Sequence, residues 1–107
     1  MWLIHGRFDI LKGGIMKVYW RELKKGQRLV LSSNDGENEE EVGGVRQTKH
    51  GFDAFAKTFG YEPGRAEKGI ETLEEAKEFV EGFKPWELYD GGQGLSVDPN
   101  VVPLLDS

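Results

Sequence analysis

The sequence predicts an α+β fold in which an antiparallel sheet of three or four strands carries two helices packed on one face, in the order β-β-β-α-α-β. Two observations predict it. Apolar and polar residues alternate in the first half of the chain, and apolar residues recur with helical spacing from residue 52 onward. Strands followed by helices are typical of α+β domains. A chain of 107 residues has the size of one domain with one hydrophobic core.

Three segments are predicted along the chain. Residues 1–15 are interpreted as an N-terminal extension, residues 16–90 as a single α+β domain, and residues 91–107 as a flexible glycine-rich joint with an apolar tail. Met16 is a candidate for the biological start, because Lys12-Gly13-Gly14 is what a purine-rich ribosome-binding site encodes when it is read in frame. Codons poor in purines at that place in the genomic DNA would contradict this hypothesis.

A β-hairpin opens the predicted domain. Val18 and Trp20 alternate with more polar neighbours, as in a strand rich in β-forming residues. Residues 24–27 predict the turn, since Gly26 can take the positive φ that short hairpins need. Residues 28–33 predict the returning strand.

The acidic run at residues 37–41 predicts a solvated loop, because its like charges repel one another and no apolar side chain interrupts them. A third strand is predicted at residues 42–48. Gly43-Gly44 weakens that strand and is typical of a bulge.

A first helix is predicted at residues 52–59, where apolar residues fall at i, i+3, i+4 and i+7: Phe52, Phe55, Ala56 and Phe59. Residues 61–69 are interpreted as a connector. Neither segment contains a motif of known function.

A second helix has the clearest local signal. Thr72 and Glu75 form a capping box at its start. One apolar stripe follows, made of Leu73, Ala76, Phe79, Val80 and Phe83. Pro85 ends that helix, and residues 86–89 alternate again, which predicts a last strand.

The charges are segregated along the chain, although the net charge is −5. Residues 1–33 carry seven basic and two acidic side chains, whereas residues 70–107 carry two basic and nine acidic ones. The negative total argues against a protein that coats nucleic acid or an anionic membrane over its whole surface.

Several functional classes are disfavoured by the residue inventory. Without cysteine there is no disulfide framework, thiolate metal site or thiol nucleophile. His5 and His50 are far apart and lack a metal-ligand spacing, so we expect no metal and no cofactor. The first residues lack the pattern of a signal peptide and no apolar stretch is long enough to span a bilayer, so we expect a cytoplasmic location.

Five residues of the hairpin are the candidate binding residues: Tyr19, Arg21, Lys24, Lys25 and Arg28. The leading hypothesis is a non-enzymatic protein-interaction module, with a protein partner or self-association as a dimer or head-to-tail assembly, because no catalytic motif is present and the charges are bipolar. The alternative is a small protein that binds single-stranded nucleic acid, since cations contact phosphates and aromatic rings stack on bases. An enzyme with an unrecognised carboxylate site ranks last.

Overall fold

The computed structural model describes residues 16–33, 38–58, 61–89 and 91–104, and of residues 61–63 the backbone alone. The predicted extension at residues 1–15 lies outside the described residues, as do Glu37 and Phe59. The elements in chain order are β1 (Met16–Leu23), β2 (Gly26–Ser33), β3 (Glu39–Thr48), β4 (Gly51–Thr58), β5 (Tyr61–Ile70), helix α1 (Leu73–Gly82) and a 3-10 helix (Pro85–Leu88). The strands form one antiparallel sheet in the order β1-β2-β3-β4-β5.

The predicted fold class is wrong in its numbers of strands and helices. The described chain has five strands rather than three or four, and one α-helix rather than two. Most of it is sheet, and helix α1 follows the sheet in sequence.

The predicted hairpin is present. β1 and β2 pair in one unbroken register that ends with Leu23 opposite Gly26. Lys24 and Lys25 therefore form the turn. A Cβ on Gly26 would lie 2.0 Å from the carbonyl oxygen of Val45, so glycine is needed where the turn meets β3.

The segment predicted as the first helix is strand β4. Its apolar residues also fit a period of two, because Phe52, Ala54 and Ala56 lie on one face of the strand and Phe55 on the other. Eight residues are too few for apolar positions alone to distinguish the two periods. The segment forms a strand because it pairs with β3.

The predicted connector at residues 61–69 belongs to β5. This strand lies at the edge of the sheet and pairs with β4, with two shifts of register along it. Pro63 and Gly64 are tolerated there because an edge strand is hydrogen bonded on one side only. Composition alone made the segment resemble a loop.

The predicted last strand, at residues 86–89, is wrong. The chain instead forms the 3-10 helix that begins at Pro85. Lys84 has left-handed backbone angles (φ 48°, ψ 54°) and redirects the chain where α1 ends. Trp86 is then inserted into the core with 4% of its surface exposed.

Helix α1 confirms the second predicted helix. The Thr72 hydroxyl accepts a hydrogen bond from the Glu75 N–H at 3.1 Å, which satisfies one of the free amides at the helix start. Ala76 and Val80 are fully buried against β3 and β4. The core lies between α1 and the sheet and includes Val18, Trp20, Leu29, Leu31, Val42, Val45, Ala54, Ala56 and Trp86.

Residues 95–102 run beside β1, on the edge that β2 leaves free. Val97 forms an isolated parallel bridge with Val18, and Val102 forms one with Arg21. Backbone hydrogen bonds of 2.8 Å accompany these bridges. The tail therefore covers an edge of its own sheet.

Candidate functional site

One face of the sheet is covered by helix α1, and the opposite face, named the open face, is not. Paired residues of neighbouring strands point to the same side of a sheet. From β1 to β2 the open face passes through the pair Tyr19 and Val30. From β2 to β5 it passes through Arg28, Gly44, Phe55 and Ala66, because the register of β2 with β3 shifts between Leu29 and Val30.

A groove of about 510 Å³ lies on the open face, at the end of the sheet that carries the Lys24-Lys25 turn. Leu23, Phe55 and Ala66 give it an apolar floor. Gly44 lies among them and contributes no side chain, which keeps the floor accessible. The groove can therefore accept an apolar group.

Charged side chains line the sides of the groove: Lys25, Glu41, Arg46, Asp53 and Lys68. Both acids have partners within the protein. Asp53 accepts a hydrogen bond from the Gly69 N–H at 3.2 Å and lies 3.9 Å from Arg46. Glu41 lies 3.8 Å from Arg28.

The two lysines of the groove are not paired in this way. Lys25 and Lys68 are exposed, and neither forms an ion pair with any residue that the structure describes. Because the acids are engaged and the lysines are not, the rim of the groove presents positive charge to a ligand.

Tyr19 and Arg21 meet at Glu39, on the part of the open face outside the groove. The Tyr19 hydroxyl donates to Glu39 at 3.1 Å, and the Arg21 guanidinium donates to the same carboxylate at 3.2 Å. Arg21 also lies over the Tyr19 ring, 5.5 Å from its centroid. The hydrogen bond from Arg21 lowers the pKa of the Glu39 carboxyl, while burial and the nearby Glu39 charge raise the pKa of the Tyr19 hydroxyl.

The acidic run is not the solvated loop that the sequence predicts at residues 37–41. Its last three members lie in β3, where successive side chains point to opposite faces and their charges are thereby separated. Each is paired with a cation from another strand: Glu39 with Arg21, Glu40 with Lys57, and Glu41 with Arg28.

Glu40 and Lys57 form the shortest of these ion pairs, at 2.9 Å, and the hydroxyl of Tyr89 joins them at 3.3 Å from each. Burial raises the pKa of the Tyr89 hydroxyl. Burial by itself would lower the pKa of the Lys57 amine, but the hydrogen bond to Glu40 and the nearby Tyr89 raise it overall. This cluster joins the segment after the 3-10 helix to the sheet.

The candidate binding residues occupy different environments. Tyr19 and Arg21 come together, but Tyr19 is only 7% exposed and Arg21 is engaged with Glu39. Arg28 is paired with Glu41. Lys24 and Lys25 form the exposed turn, and Lys25 borders the groove. Whether these residues bind a partner stays a prediction.

Sequence reasoning missed most of the groove: Leu23, Arg46, Phe55, Ala66 and Lys68. The missing information was the pairing of β4 and β5, which brings Phe55 and Lys68 beside the hairpin. The alternation of Asp53 and Phe55 with the small residues Ala54 and Ala56 was a signal for β4 that could have been used.

A second surface with a distinct composition lies on the outer side of α1, named the acidic helix face. Glu74, Glu75 and Glu78 are exposed there, and none has an ion pair among the described residues. Phe83, just beyond the helix, is 40% exposed and packs edge-on against Phe79 with 5.1 Å between ring centroids. The groove and the acidic helix face thus lie on opposite sides of the sheet.

Comparisons with known proteins give no identification. No protein-family model matches the chain, and no curated protein or solved structure matches it. Within the described ranges, no three side chains of His, Cys, Asp or Glu are grouped as metal ligands, and no helix is long and apolar enough to cross a membrane. The groove and the distribution of charge are the features that bear on function.

Proposed function

We propose that this protein is a non-enzymatic interaction module whose open face binds an acidic, partly apolar segment of another polypeptide. The observation that carries the proposal is the groove. It combines an apolar floor at Leu23, Phe55 and Ala66 with a rim that holds Lys25 and Lys68, which form no ion pair with the residues that the structure describes. The expected cytoplasmic location is part of the same proposal and is based on composition alone.

The floor and the rim of the groove each favour one feature of such a partner. An apolar side chain that covers Phe55 and Leu23 is removed from water, at about 25 cal/mol per Å² of apolar surface. Carboxylates beside Lys25 and Lys68 gain complementary charge, which mainly accelerates encounter and selects against basic partners. A segment with glutamates around one aromatic residue satisfies both conditions.

Single-stranded nucleic acid fits the open face less well. Stacking requires an accessible ring, and Tyr19 is 7% exposed and held by Glu39. Lys24 and Lys25 of the hairpin turn, which are exposed and form no ion pair within the described ranges, still favour nucleic acid.

Fluorescence anisotropy with a labelled peptide of glutamates around one phenylalanine tests the proposal. Single-stranded RNA and DNA of similar length are titrated in parallel. We expect the peptide to bind, and Lys68→Glu to weaken it about fivefold, which corresponds to ~1 kcal/mol.

The matched control is Lys17→Glu, the same charge reversal on the same face. Lys17 is six residues from Leu23 along β1, which is about 20 Å, and it does not line the groove. Equal weakening by both variants, or tighter binding of RNA or DNA than of the peptide, contradicts the proposal. Absence of peptide binding at micromolar concentrations contradicts it too.

A further inference from the structure

We infer that two copies of this chain associate through the outer edge of β5, so that their sheets join into one and their Phe83 rings meet beside the joint. The inference does not depend on the proposed function, because it uses a sheet edge and the helix-covered face rather than a peptide in the groove. A second copy is the partner that the charges of β5 select.

The outer edge of β5 pairs with no other strand in the part of the chain that the structure describes. The opposite edge of the sheet, on β1, is covered by the tail through the bridges at Val97 and Val102. The N–H and C=O groups along the outer side of an edge strand can bind another strand. Among the described strands, β5 is therefore where an added strand can pair.

The middle of β5 is the part suited to this pairing. Pro63 has no N–H to donate, and Gly69 has a left-handed φ of 72° that interrupts the extended backbone. Between them, Arg65, Ala66 and Glu67 keep an unbroken register with β4. The joint between two copies is therefore short.

Charge determines how two copies of β5 align. Arg65 and Glu67 are exposed and lie on the same face of the strand, two residues apart. An antiparallel alignment with Ala66 opposite its own copy places Arg65 of each chain opposite Glu67 of the other. An alignment centred on Arg65 or on Glu67 instead places like charges opposite each other, which is destabilising. The charges thus select one register with two opposite-charge pairs.

Both helices lie on the same side of the joined sheet in this register. Arg65 and Glu67 pair with Ala56 and Ala54 of β4, which are fully buried on the face that α1 covers. Residues that pair across the joint point to the same side of the sheet. Each copy therefore brings its own α1 to that side.

Phe79 and Phe83 lie on the flank of α1 that faces β5. Lys77 lies over the Trp20 ring, and Glu81 accepts a hydrogen bond from the Trp20 indole, so these two residues mark the flank towards β1. Residues two positions apart point to nearly opposite sides of a helix, which directs the phenylalanines away from β1. Phe83 is 40% exposed there, as a group that a second copy can cover.

The rings also lie at a suitable height and distance. Val80 packs on Gly43, and the row of paired residues through Gly43 ends at Arg65, so the adjacent Phe79 lies close to the level of Ala66. Helix α1 lies mainly over β4, which puts the two helices three strand spacings apart, or about 14 Å. Directly packed helices are about 8 to 10 Å apart, and the large rings of both copies fill the difference.

The symmetry of this contact determines what forms. The same edge and the same rings serve both copies, so the contact is isologous. Each copy uses its β5 edge once, and the tail covers the β1 edge. Association therefore stops at a dimer.

The experiment measures mass by light scattering after size exclusion, over a range of concentrations of the full chain. We expect the wild type to reach twice the mass of one chain and no more. Arg65→Glu and Glu67→Arg should each weaken the dimer at least about tenfold, because each places two pairs of like charges across the joint.

Exchange of the two charges is the matched control. The double variant Arg65→Glu with Glu67→Arg keeps the wild-type net charge and restores both opposite-charge pairs, so it should dimerise as the wild type does. An equimolar mixture of the two single variants should dimerise too, since each chain supplies the charges that the other needs. Circular dichroism checks that each variant is folded, and the double variant decides if a single variant is not.

Phe83→Ala tests the apolar part of the joint. It should weaken the dimer, whereas Leu104→Ala, which shortens an apolar side chain of the tail that is 45% exposed, should not. Equal effects of these two changes would contradict the placement of Phe83 beside the joint.

Three results would overturn the inference: a wild type that is monomeric at every concentration, a mass that keeps rising beyond two chains, or a double variant that dimerises as weakly as the single variants. Peptide binding in the groove is measured separately. The proposed function can therefore stand or fail independently of the dimer.

Discussion

Val80 of helix α1 packs directly against the backbone of Gly43 in β3. A Cβ built on Gly43 would lie 2.5 Å from a methyl carbon of Val80 and 2.9 Å from the carbonyl oxygen of Phe55. The helix can therefore approach the sheet this closely only because residue 43 has no side chain. Val80 is fully buried as a result.

Gly43→Ala should destabilise the protein by about 1 to 3 kcal/mol, because an inserted methyl must displace the helix. Val80→Ala should also destabilise it, since it leaves a cavity. The double variant should lose less than the sum, with a coupling of about 0.5 to 3 kcal/mol, because the smaller residue 80 makes room for the new methyl. The smaller residue 80 should relieve only part of the destabilisation by Gly43→Ala, since the new methyl would still lie too close to the Phe55 carbonyl oxygen.

Urea denaturation of the four proteins measures this cycle. Gly44→Ala is the matched control, because its Cβ would meet its nearest atoms at ordinary contact distances of 3.4 and 3.6 Å. Strict additivity of the Gly43 and Val80 effects, or an equal loss from Gly44→Ala, would show that the helix does not pack on Gly43 in this way.

Glu39→Gln should lower the free energy of unfolding at neutral pH and have little effect in acid. The hydrogen bond from Arg21 lowers the pKa of Glu39 in the folded state, so its contribution is present above the ordinary value of 4.5 and is lost as the pH falls through the folded pKa. Because the side chain is 38% exposed, screening limits the loss to about 0.2 to 1 kcal/mol.

The measurement is urea denaturation at neutral pH and at a pH well below 4.5. Glu67→Gln is the control, since Glu67 is exposed and has no ion pair among the described residues. A loss of equal size at both pH values would contradict the electrostatic explanation.

Tyr19 and Tyr89 should ionise above the ordinary tyrosine value of 10.0, because burial raises the pKa of both hydroxyls. A raised folded pKa contributes stability that is fully present below 10.0 and is lost as the pH rises through the folded pKa. Ultraviolet titration of the phenolate should show late-ionising groups that Tyr19→Phe and Tyr89→Phe remove one at a time. Titration at 10.0 in both the native and the urea-unfolded protein would refute this.

Val97→Ala should destabilise the protein by about 1 kcal/mol, because Val97 packs against the core as the tail passes β1. Val101→Ala, the same change in the same tail, should cost less, since Val101 is 37% exposed. Thermal denaturation compares the two, and limited proteolysis should cut the tail faster in the Val97 variant. Equal effects would mean that the tail is not anchored at Val97.

Elements defined by local signals were predictable from the sequence. The hairpin depends on Gly26 and on alternation within a few residues, and helix α1 depends on the Thr72 cap and a stripe within twelve residues. Strands β4 and β5 depend on partners elsewhere in the chain. Phe52 and Phe55 fit two periods, and only β3 determines which of them is used.

The groove was predictable from the sequence only in part, for the same reason. Lys25 was found because the hairpin is local, but Phe55 and Lys68 reach the groove through β4 and β5. The prediction of a solvated loop at residues 37–41 was wrong for a related reason. It considered the repulsion between neighbouring glutamates but not the cations that other strands place beside them. Arg21, Arg28 and Lys57 each neutralise one of these glutamates.

The bridges between the tail and β1 also set an order of events during synthesis. A ribosome makes β1 before the other strands of the sheet, and the hairpins that follow can close one after another as the chain emerges. The outer edge of β1 pairs with residues 95–102, which are synthesised after all five strands. Of the described strands, β1 is made first, and its outer edge gains this partner only after residues 95–102 have been synthesised.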